Sequence, residues 1–189
     1  MDSALIVSCG DKGITYLSDM LARASVGRIV TVKTVAEARG TLLGEGYDLC
    51  IINAPLDGEF GDVLARSVAA KGRTEVILIV RAEVYEDVSA KVENDGVLTV
   101  AKPVNPALLW GALKLAQASH KRLQNIHNEN QRLLQKIEDI RIIDRAKCAL
   151  IAYFTMTEPV AHKYIEKQAM DMRVTRRAVA EQILKTYEN

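Results

Sequence analysis

The stretch DLCIIN at residues 48–53 decides how this chain folds. Its apolar run LCII is too short for a helix of ordinary length and stands between polar residues, which is typical of a β-strand buried on both faces. Four more short apolar runs occur within residues 1–118, and a segment with helical periodicity follows each of the five. Alternating strands and helices predict a parallel sheet that is covered by helices on both faces.

The strand and helix candidates follow one another closely along the chain. We expect strands at residues 4–8, 28–31, 49–52, 76–80 and 97–101, and helices at residues 14–23, 35–43, 61–70, 84–92 and 105–118. Parallel strands joined by short connections require right-handed crossovers. Residues 1–118 are therefore predicted to form an α/β domain of flavodoxin-like type, with a doubly wound, five-stranded parallel sheet.

Residues 119–140 are polar and helical in pattern, with no Gly or Pro. Their apolar residues fit a heptad whose a and d positions are Leu123, Ile126, Asn130, Leu133, Ile137 and Ile140. A single Asn at an a position fixes the register and favours two parallel strands. We therefore predict a long coiled-coil linker helix that pairs two copies into a homodimer. The alternative is an amphipathic helix that packs on its own domain.

The last part of the chain, residues 137–189, predicts a small all-α domain of three helices. The first helix continues from the coiled coil to about Phe154. Thr157 and Thr175 are the expected N-caps of the second and third helices, because a threonine oxygen accepts from an N–H group of the first turn. Alanines at the contact positions let these helices approach closely.

Composition and charge narrow the functional classes. Residues 1–120 hold 12 Lys or Arg against 15 Asp or Glu, whereas residues 121–189 hold 13 against 9. A polyanion is therefore expected to meet the C-terminal part. The three cysteines follow no metal-ligand spacing, and we expect neither a metal nor a cofactor. No apolar run reaches the roughly 18 residues of a membrane span, and no basic leader precedes the first strand, which predicts a cytoplasmic protein without a membrane partner.

The strand ends of the first domain resemble those of receiver domains in two-component response regulators. Asn53 stands where receivers carry the phosphoacceptor aspartate, and Lys102 precedes a proline as in the receiver Lys-Pro signature. Ser8 and Cys9 replace the acidic pair that holds Mg²⁺, and they lack the anionic oxygens that this ion prefers. We therefore predict a degenerate receiver site, a pseudo-receiver that is not phosphorylated on aspartate. Its alternative inputs are a regulatory protein, a ligand, or no input at all.

Three charged residues near this site leave alternatives open. Asp11 lies on the loop after the first strand and does not simply replace the missing ligands. Asp57 is either a displaced phosphoacceptor or a residue of the turn before Gly58, and the turn is favoured because Asp-Gly is a common turn pair. Lys102 is either an anion-binding relic or a lysine that merely ends a strand, and the second interpretation is favoured.

Four segments of residues 137–189 carry a second resemblance: RIIDRAK at 141–147, TEPVAH at 157–162, AM at 169–170 and RRAVA at 176–180. They resemble an ANTAR domain, the RNA-binding module of bacterial antiterminators. The resemblance implies a transcription antitermination regulator, not an enzyme, that binds hairpins in an mRNA leader. The RNA contacts are expected at Lys147, His162, Arg173, Arg176 and Arg177. Each of these cations is otherwise part of a solvated helix face, and Tyr164 is expected to pack in the core.

The competing interpretations are a DNA-binding response regulator, a protein-interaction dimer without RNA binding, and an enzyme on the same fold. The third helix, residues 176–187, carries few residues that read DNA bases. No Gly-rich phosphate loop follows the first strand, and no nucleophile with a matching base is evident, so the enzyme is disfavoured. Binding to RNA hairpins, compared with duplex DNA, separates the other interpretations.

Overall fold

The computed structural model describes residues 1–187 of the chain. It divides into two compact units at Gln124 and Asn125. The described strands are β1 (Ser3–Val7), β2 (Arg28–Val32), β3 (Leu49–Asn53), β4 (Glu75–Arg81) and β5 (Val97–Lys102). The described α-helices are α1 (Asp11–Arg23), α2 (Val35–Gly44), α3 (Asp62–Ala69), α4 (Tyr85–Val92), α5 (Pro106–Phe154), α6 (Glu158–Met172) and α7 (Arg176–Tyr187).

The first unit is built on one parallel sheet with the strand order β2-β1-β3-β4-β5. The central strand is β3, which is formed by residues 49–53 of the DLCIIN stretch. Its side chains alternate between two buried layers, one on each face of the sheet, and both layers are filled by apolar residues. The predicted doubly wound α/β fold is confirmed by this sheet. The continuous apolar run of β3 follows from its position, because a strand buried on both faces needs apolar residues on both sides.

A glycine shapes the turn that leads from the central strand to α3. Gly61 has a φ of 105°, in the left-handed region that other residues avoid. A Cβ atom at this position would lie 3.0 Å from Cγ2 of Ile52. Gly61 therefore allows the chain to return closely over the end of β3, and it places the β3–α3 loop beside the carboxyl ends of the strands.

The long helix predicted before the last two helices is confirmed as α5. The helix predicted at 105–118 and the linker helix predicted at 119–140 form one continuous helix of 49 residues, from Pro106 to Phe154. The chain has no Gly or Pro around the junction at residues 118 and 119, so the backbone hydrogen bonds of the helix continue across it. The helix begins at a capping residue, because Oδ1 of Asn105 accepts a hydrogen bond from the N–H of Ala107 at 2.8 Å.

Polar contacts as well as apolar ones hold the first part of α5 against the sheet. Ser119 Oγ donates to a carboxylate oxygen of Glu75 at 3.0 Å. The buried His120 lies with Nε2 3.3 Å from Oδ1 of Asp48, the residue immediately before β3. The other oxygen of that carboxylate accepts the N–H of Ser3 at 3.1 Å. The start of the DLCIIN stretch thus links β1 to the long helix.

The second unit packs the end of α5 against α6 and α7. Its core consists of apolar residues with many alanines: Ala146, Ala149, Leu150, Ala161, Ile165, Ala169, Val179, Ala180 and Ile183. Thr175 caps α7, since its Oγ1 accepts the N–H of Ala178 at 3.2 Å. Thr157 precedes α6 as expected, but its backbone oxygen, not its side chain, accepts the first N–H groups. Within residues 1–187, no helix has the length and apolarity that a lipid bilayer requires.

Candidate functional sites

The carboxyl ends of three strands bring Ser8, Asn53 and Lys102 to one edge of the sheet, as the sequence predicts for the degenerate receiver site. Asn53 Nδ2 donates to Oγ of the fully buried Ser8 at 2.9 Å. Two neutral side chains therefore satisfy each other at the positions where receivers hold carboxylates.

The first turn of α1 covers this neutral pair. A Cβ atom at Gly13 would lie 2.6 Å from Nδ2 of Asn53 and 3.0 Å from Oγ of Ser8, so only glycine lets the helix approach so closely. The remaining candidate ligand, Cys9, offers a soft thiol. Mg²⁺ prefers hard, anionic oxygen ligands in octahedral geometry. The donor set at this edge therefore does not suit Mg²⁺.

The two nearby acidic residues are Asp11, whose carboxylate is engaged in an ion pair, and Asp57, which lies in a turn. Asp11 pairs through Oδ1 with Nζ of Lys33 at 2.7 Å. The backbone N–H of Asp57 donates to Sγ of Cys9 at 3.0 Å, and Gly58 follows with a φ of 76°. Asp57 thus occupies a turn before a left-handed glycine, the geometry that the turn interpretation requires.

Lys102 carries an uncompensated charge. Its Nζ donates to the backbone oxygen of Ala54 at 2.5 Å, and within residues 1–187 no carboxylate oxygen lies within 4.0 Å of it. Burial lowers the pKa of Lys102, and the neighbouring positive charge of Arg81, its partner in the β4–β5 register, lowers it further. Lys102 therefore has no ion-pair partner among residues 1–187.

In the second unit, the predicted RNA contact Lys147 lies between two carboxylates. Its Nζ is 2.8 Å from Oδ1 of Asp144 and 2.8 Å from Oε1 of Glu158, and only 15% of its side chain is exposed. Hydrogen bonds to Asp144 and Glu158 raise the pKa of Lys147. These bonds join α5 to the first turn of α6.

Arg177, another predicted contact, joins α7 to α5 in the same way. Its guanidinium lies 2.8 Å from Oδ1 of Asp139 and 2.7 Å from Oε1 of Glu181. The hydrogen bond to Asp139 raises the pKa of Arg177, and the same bond lowers the pKa of Asp139. Both cations are already partly neutralised by two carboxylates, which weakens their attraction for a phosphate.

The remaining predicted contacts are more accessible. Arg176 and His162 share Oε1 of Glu166, at 3.1 Å and 3.4 Å, on the surface between α6 and α7. Arg173 ends α6 in the left-handed conformation, and among the described residues it makes no ion pair. Tyr164 was expected in the core, and this was wrong: its side chain is 40% exposed and lies outside the cluster of buried residues.

Sequence reasoning missed two cations on the outside of α6. Lys163 and Lys167 are exposed, and within the described chain neither one has an ion-pair partner. Their spacing puts these two lysines on one side of α6, where the exposed Asp171 continues the same row, and Arg173 follows at the end of the helix. We call Lys163, Lys167 and Arg173 the α6 cation face. Two lysines four residues apart lie on the same side of a helix, where their like charges destabilise it by about 0.2–0.5 kcal/mol. Because this spacing can be read directly from the sequence, it could have identified Lys163 and Lys167 as a pair of surface cations.

A groove lies between α6 and α7. Its volume is about 620 Å³, within the range of about 300–1,000 Å³ that is typical of small-molecule sites. Met170, with 79% of its surface exposed, contributes to the lining. The lining residues are Glu166, Ala169, Met170, Val174, Thr175 and Arg176. An apolar wall and a guanidinium thus stand side by side.

Comparisons with known proteins assign the two units. The ANTAR domain family matches residues 131–184. A similar protein is "Transcriptional regulatory protein PdtaR" of Mycobacterium tuberculosis (strain CDC 1551 / Oshkosh), 30% identical over 140 residues that cover 74% of this chain and 68% of that protein. The protein of the same name from strain H37Rv matches to the same extent.

Solved structures resemble the first unit. A two component transcriptional regulator AraC from Clostridium phytofermentans ISDg has a TM-score of 0.58 and 18% identity, covering 64% of this chain and 96% of its own. The signal receiver domain of an HD domain-containing protein from Pseudomonas fluorescens Pf-5 has a TM-score of 0.55 and 22% identity, covering 70% and 95%. At these identities the likeness establishes the receiver fold.

A receiver-type sheet followed by ANTAR helices defines a response regulator with an ANTAR output domain. The similarity to PdtaR extends over more than two thirds of both chains. The chain belongs to the ANTAR response regulators, as the sequence motifs predicted. This family consists of transcriptional regulators and is not a class of enzymes.

Proposed function

We propose that this chain is an RNA-binding transcription antitermination regulator that acts as a dimer and is not controlled by aspartyl phosphorylation. In this proposal residues 1–118 form the pseudo-receiver, residues 119–140 form the coiled-coil linker, and residues 137–189 bind RNA hairpins. The observation that carries the proposal is the α6 cation face, whose lysines have no carboxylate partner in the described chain. Exposed, unpaired cations are free to neutralise phosphates and release counterions.

The groove between α6 and α7 suits the recognition of a loop base. Sequence-specific RNA recognition targets unpaired bases, which stack on flat or apolar side chains. Met170 and Val174 offer apolar contact, and Arg176 offers a planar guanidinium at the same opening. We assign phosphate contacts to Lys163, Lys167 and Arg173. Arg176 and His162 then contact the base or its sugar after they leave Glu166.

The two other cations predicted from the sequence receive a different role. Lys147 and Arg177 each bind two carboxylates, and these contacts join helices of the second unit. We propose that they support the RNA surface by holding α5, α6 and α7 together. The alternative is a direct contact with RNA through the N–H donors that these ion pairs leave unused.

Dimerisation is supported by an apolar stripe on α5. The five apolar residues of the predicted seam are between 46% and 58% exposed in the single chain: Leu123, Ile126, Leu133, Ile137 and Ile140. Asn130 is exposed in the same stripe. Half-exposed apolar residues at heptad spacing are what a second helix covers in a coiled coil. A dimer presents two RNA surfaces, and this raises the effective concentration for a target with two hairpins.

Control without phosphorylation is supported by the Ser8–Asn53 pair. A carboxamide lacks the negative charge with which an aspartate attacks a phosphodonor. Asn53 is also engaged with Ser8 and covered by α1 at Gly13. We expect no phosphoryl-protein after incubation with acetyl phosphate and Mg²⁺, and intact-mass spectrometry of the full chain measures this directly.

The binding experiment uses the full-length protein and a pool of RNAs with two tandem hairpins whose loops are randomised. Selection identifies the preferred loops, and fluorescence anisotropy then compares the selected RNA with duplex DNA of equal length. We expect the RNA to bind more tightly, and we expect added protein to increase terminator read-through when the selected hairpins precede a terminator. Equal or tighter binding of the DNA would favour a DNA-binding regulator. Absence of RNA binding at low salt would favour a protein-interaction dimer.

A further inference from the structure

A small cavity opens at the edge of the sheet beside Lys102. Its volume is about 240 Å³, below the range of about 300–1,000 Å³ that is typical of drug-sized ligands. Tyr16 and Leu17 of α1, Ile79 of β4, and Val104 after β5 contribute an apolar wall. Asn53 and Lys102 contribute the polar side. A site of this size and lining suits a small ligand with one apolar and one charged part.

The charge balance of the cavity indicates the sign of that ligand. Lys102 is half-buried, and its only hydrogen-bond acceptor in the described chain is the backbone oxygen of Ala54. The nearby Asp11 is already paired with Lys33. Arg81 adds a second positive charge beside Lys102 in the strand register. Burying a cation without a counter-ion is costly, and an anion in the cavity would remove part of that cost.

Asn53, which lines the cavity, is already engaged with the buried Ser8, because its Nδ2 donates to Ser8 Oγ at 2.9 Å. The inference rests on the part of the proposed function in which Asn53 is not phosphorylated. Gly13 covers both side chains, so the space nearest to the strand ends is filled. An anion would therefore sit beside Lys102 as a reversibly bound ligand, with its remaining atoms against the apolar wall.

We propose that this cavity binds a small organic carboxylate with an apolar body. The carboxylate pairs with Nζ of Lys102, and the apolar body packs against Tyr16, Pro103 and Val104, the lining residues that retain exposed apolar surface. Such a ligand would supply the input that phosphorylation supplies in other receivers. This inference does not depend on RNA binding, because it concerns residues of the first unit alone.

The probes are benzoate, benzamide and inorganic phosphate, each titrated into the full-length protein and followed by amide chemical shifts. We expect benzoate to shift residues that line the cavity. Benzamide has nearly the same shape without the charge and is expected to bind at least about tenfold more weakly, as for the loss of a charge-assisted hydrogen bond. Phosphate lacks an apolar body and is expected to bind more weakly than benzoate.

Two variants make the test specific for the cation. Lys102→Met keeps the apolar length of the side chain and is expected to lose benzoate binding by at least about tenfold. Lys91→Met, an exposed lysine of α4, is the matched control and should bind benzoate like the unmodified protein. Thermal melting shows whether each variant is folded.

Four results would overturn the proposal. They are equal binding of benzamide and benzoate, phosphate binding as tight as that of benzoate, unchanged benzoate binding by Lys102→Met, and no shift of the lining residues up to about 20 mM benzoate, well above a millimolar dissociation constant. If Lys102→Met does not fold, the comparison of the three probes on the unmodified protein is sufficient to test whether the cavity binds a carboxylate.

Discussion

The cations at the edge of the sheet and those on the helices of the second unit differ in their carboxylate partners. In the part of the chain that the structure describes, Lys102 has no carboxylate within ion-pair distance. Lys147 and Arg177 each lie between two carboxylates, whereas Lys163 and Lys167 form no ion pair with any described residue. The partner of a cation, and not its residue type, thus indicates whether it holds helices together or is free for a ligand.

The largest expected effect concerns the α6 cation face. The double variant Lys163→Glu and Lys167→Glu should lower RNA affinity by about 100-fold or more at about 0.1 M salt, because two phosphate contacts become repulsive. The free energy of unfolding should change by less than about 0.5 kcal/mol, since both side chains are exposed and unpaired. Fluorescence anisotropy and chemical denaturation measure the two quantities.

The control for this variant is Lys71→Glu with Lys91→Glu, which makes the same charge change at exposed positions of the first unit. It should lower RNA affinity by no more than about threefold through the change in net charge. An equal loss in both double variants would show that net charge, and not the α6 cation face, governs binding.

The second effect tests the apolar stripe on α5, the surface that lacks a partner in the single chain. Ile137→Asp should weaken dimerisation by roughly 30-fold, since a charge would be buried at an a position. Analytical ultracentrifugation measures the change. Gln131→Asp, at a b position of the same helix, is the matched control and should leave the dimer intact. A dimer that survives Ile137→Asp would refute the predicted seam.

The third effect separates cations that hold helices from those that bind RNA. Lys147→Met should lower the free energy of unfolding by about 1 kcal/mol, because Asp144 and Glu158 lose their shared partner at a partly exposed site. RNA affinity measured below the melting transition should change by less than about threefold. A loss of affinity as large as that of the α6 double variant would instead restore Lys147 as the RNA contact predicted from the sequence.

The smallest effect is a pH dependence at Lys102. Its pKa is lowered by burial and by Arg81, so the unfolded chain binds more protons than the folded one between the folded pKa and the ordinary value of 10.5. The free energy of unfolding should therefore rise with pH in that window. Below the window, the charged Lys102 costs stability. Denaturation curves of Lys102→Met should lack this rise, whereas Lys91→Met should retain it.

The sequence predicted the fold well because the decisive information was local. The run at 49–52 needs no distant partner to indicate a buried strand, and the structure places it at the centre of the sheet. The length of α5 was harder to predict, since Ser119 and His120 read as the start of a polar linker. Their partners, Glu75 and Asp48, are distant in sequence and became visible only in the structure.

The candidate RNA site shows the same division between local and distant information. Lys147 and Arg177 looked like free cations because Glu158, Asp139 and the folding that brings them close are not evident from spacing. The unpaired Lys163 and Lys167 lie four residues apart and were detectable from the sequence. The motifs identified the domain correctly, but they did not indicate which of its cations lack a partner.

The salt dependence of RNA binding tests directly whether Lys163 and Lys167 contact RNA phosphates. For the full-length protein and for Lys163→Gln with Lys167→Gln, the logarithm of the association constant is plotted against the logarithm of the salt concentration. We expect the slope of the double variant to be shallower than that of the unmodified protein by about 1.4–1.8, because two phosphate contacts are lost. An unchanged slope in this variant, or an equal change in Lys71→Gln with Lys91→Gln, would contradict this expectation.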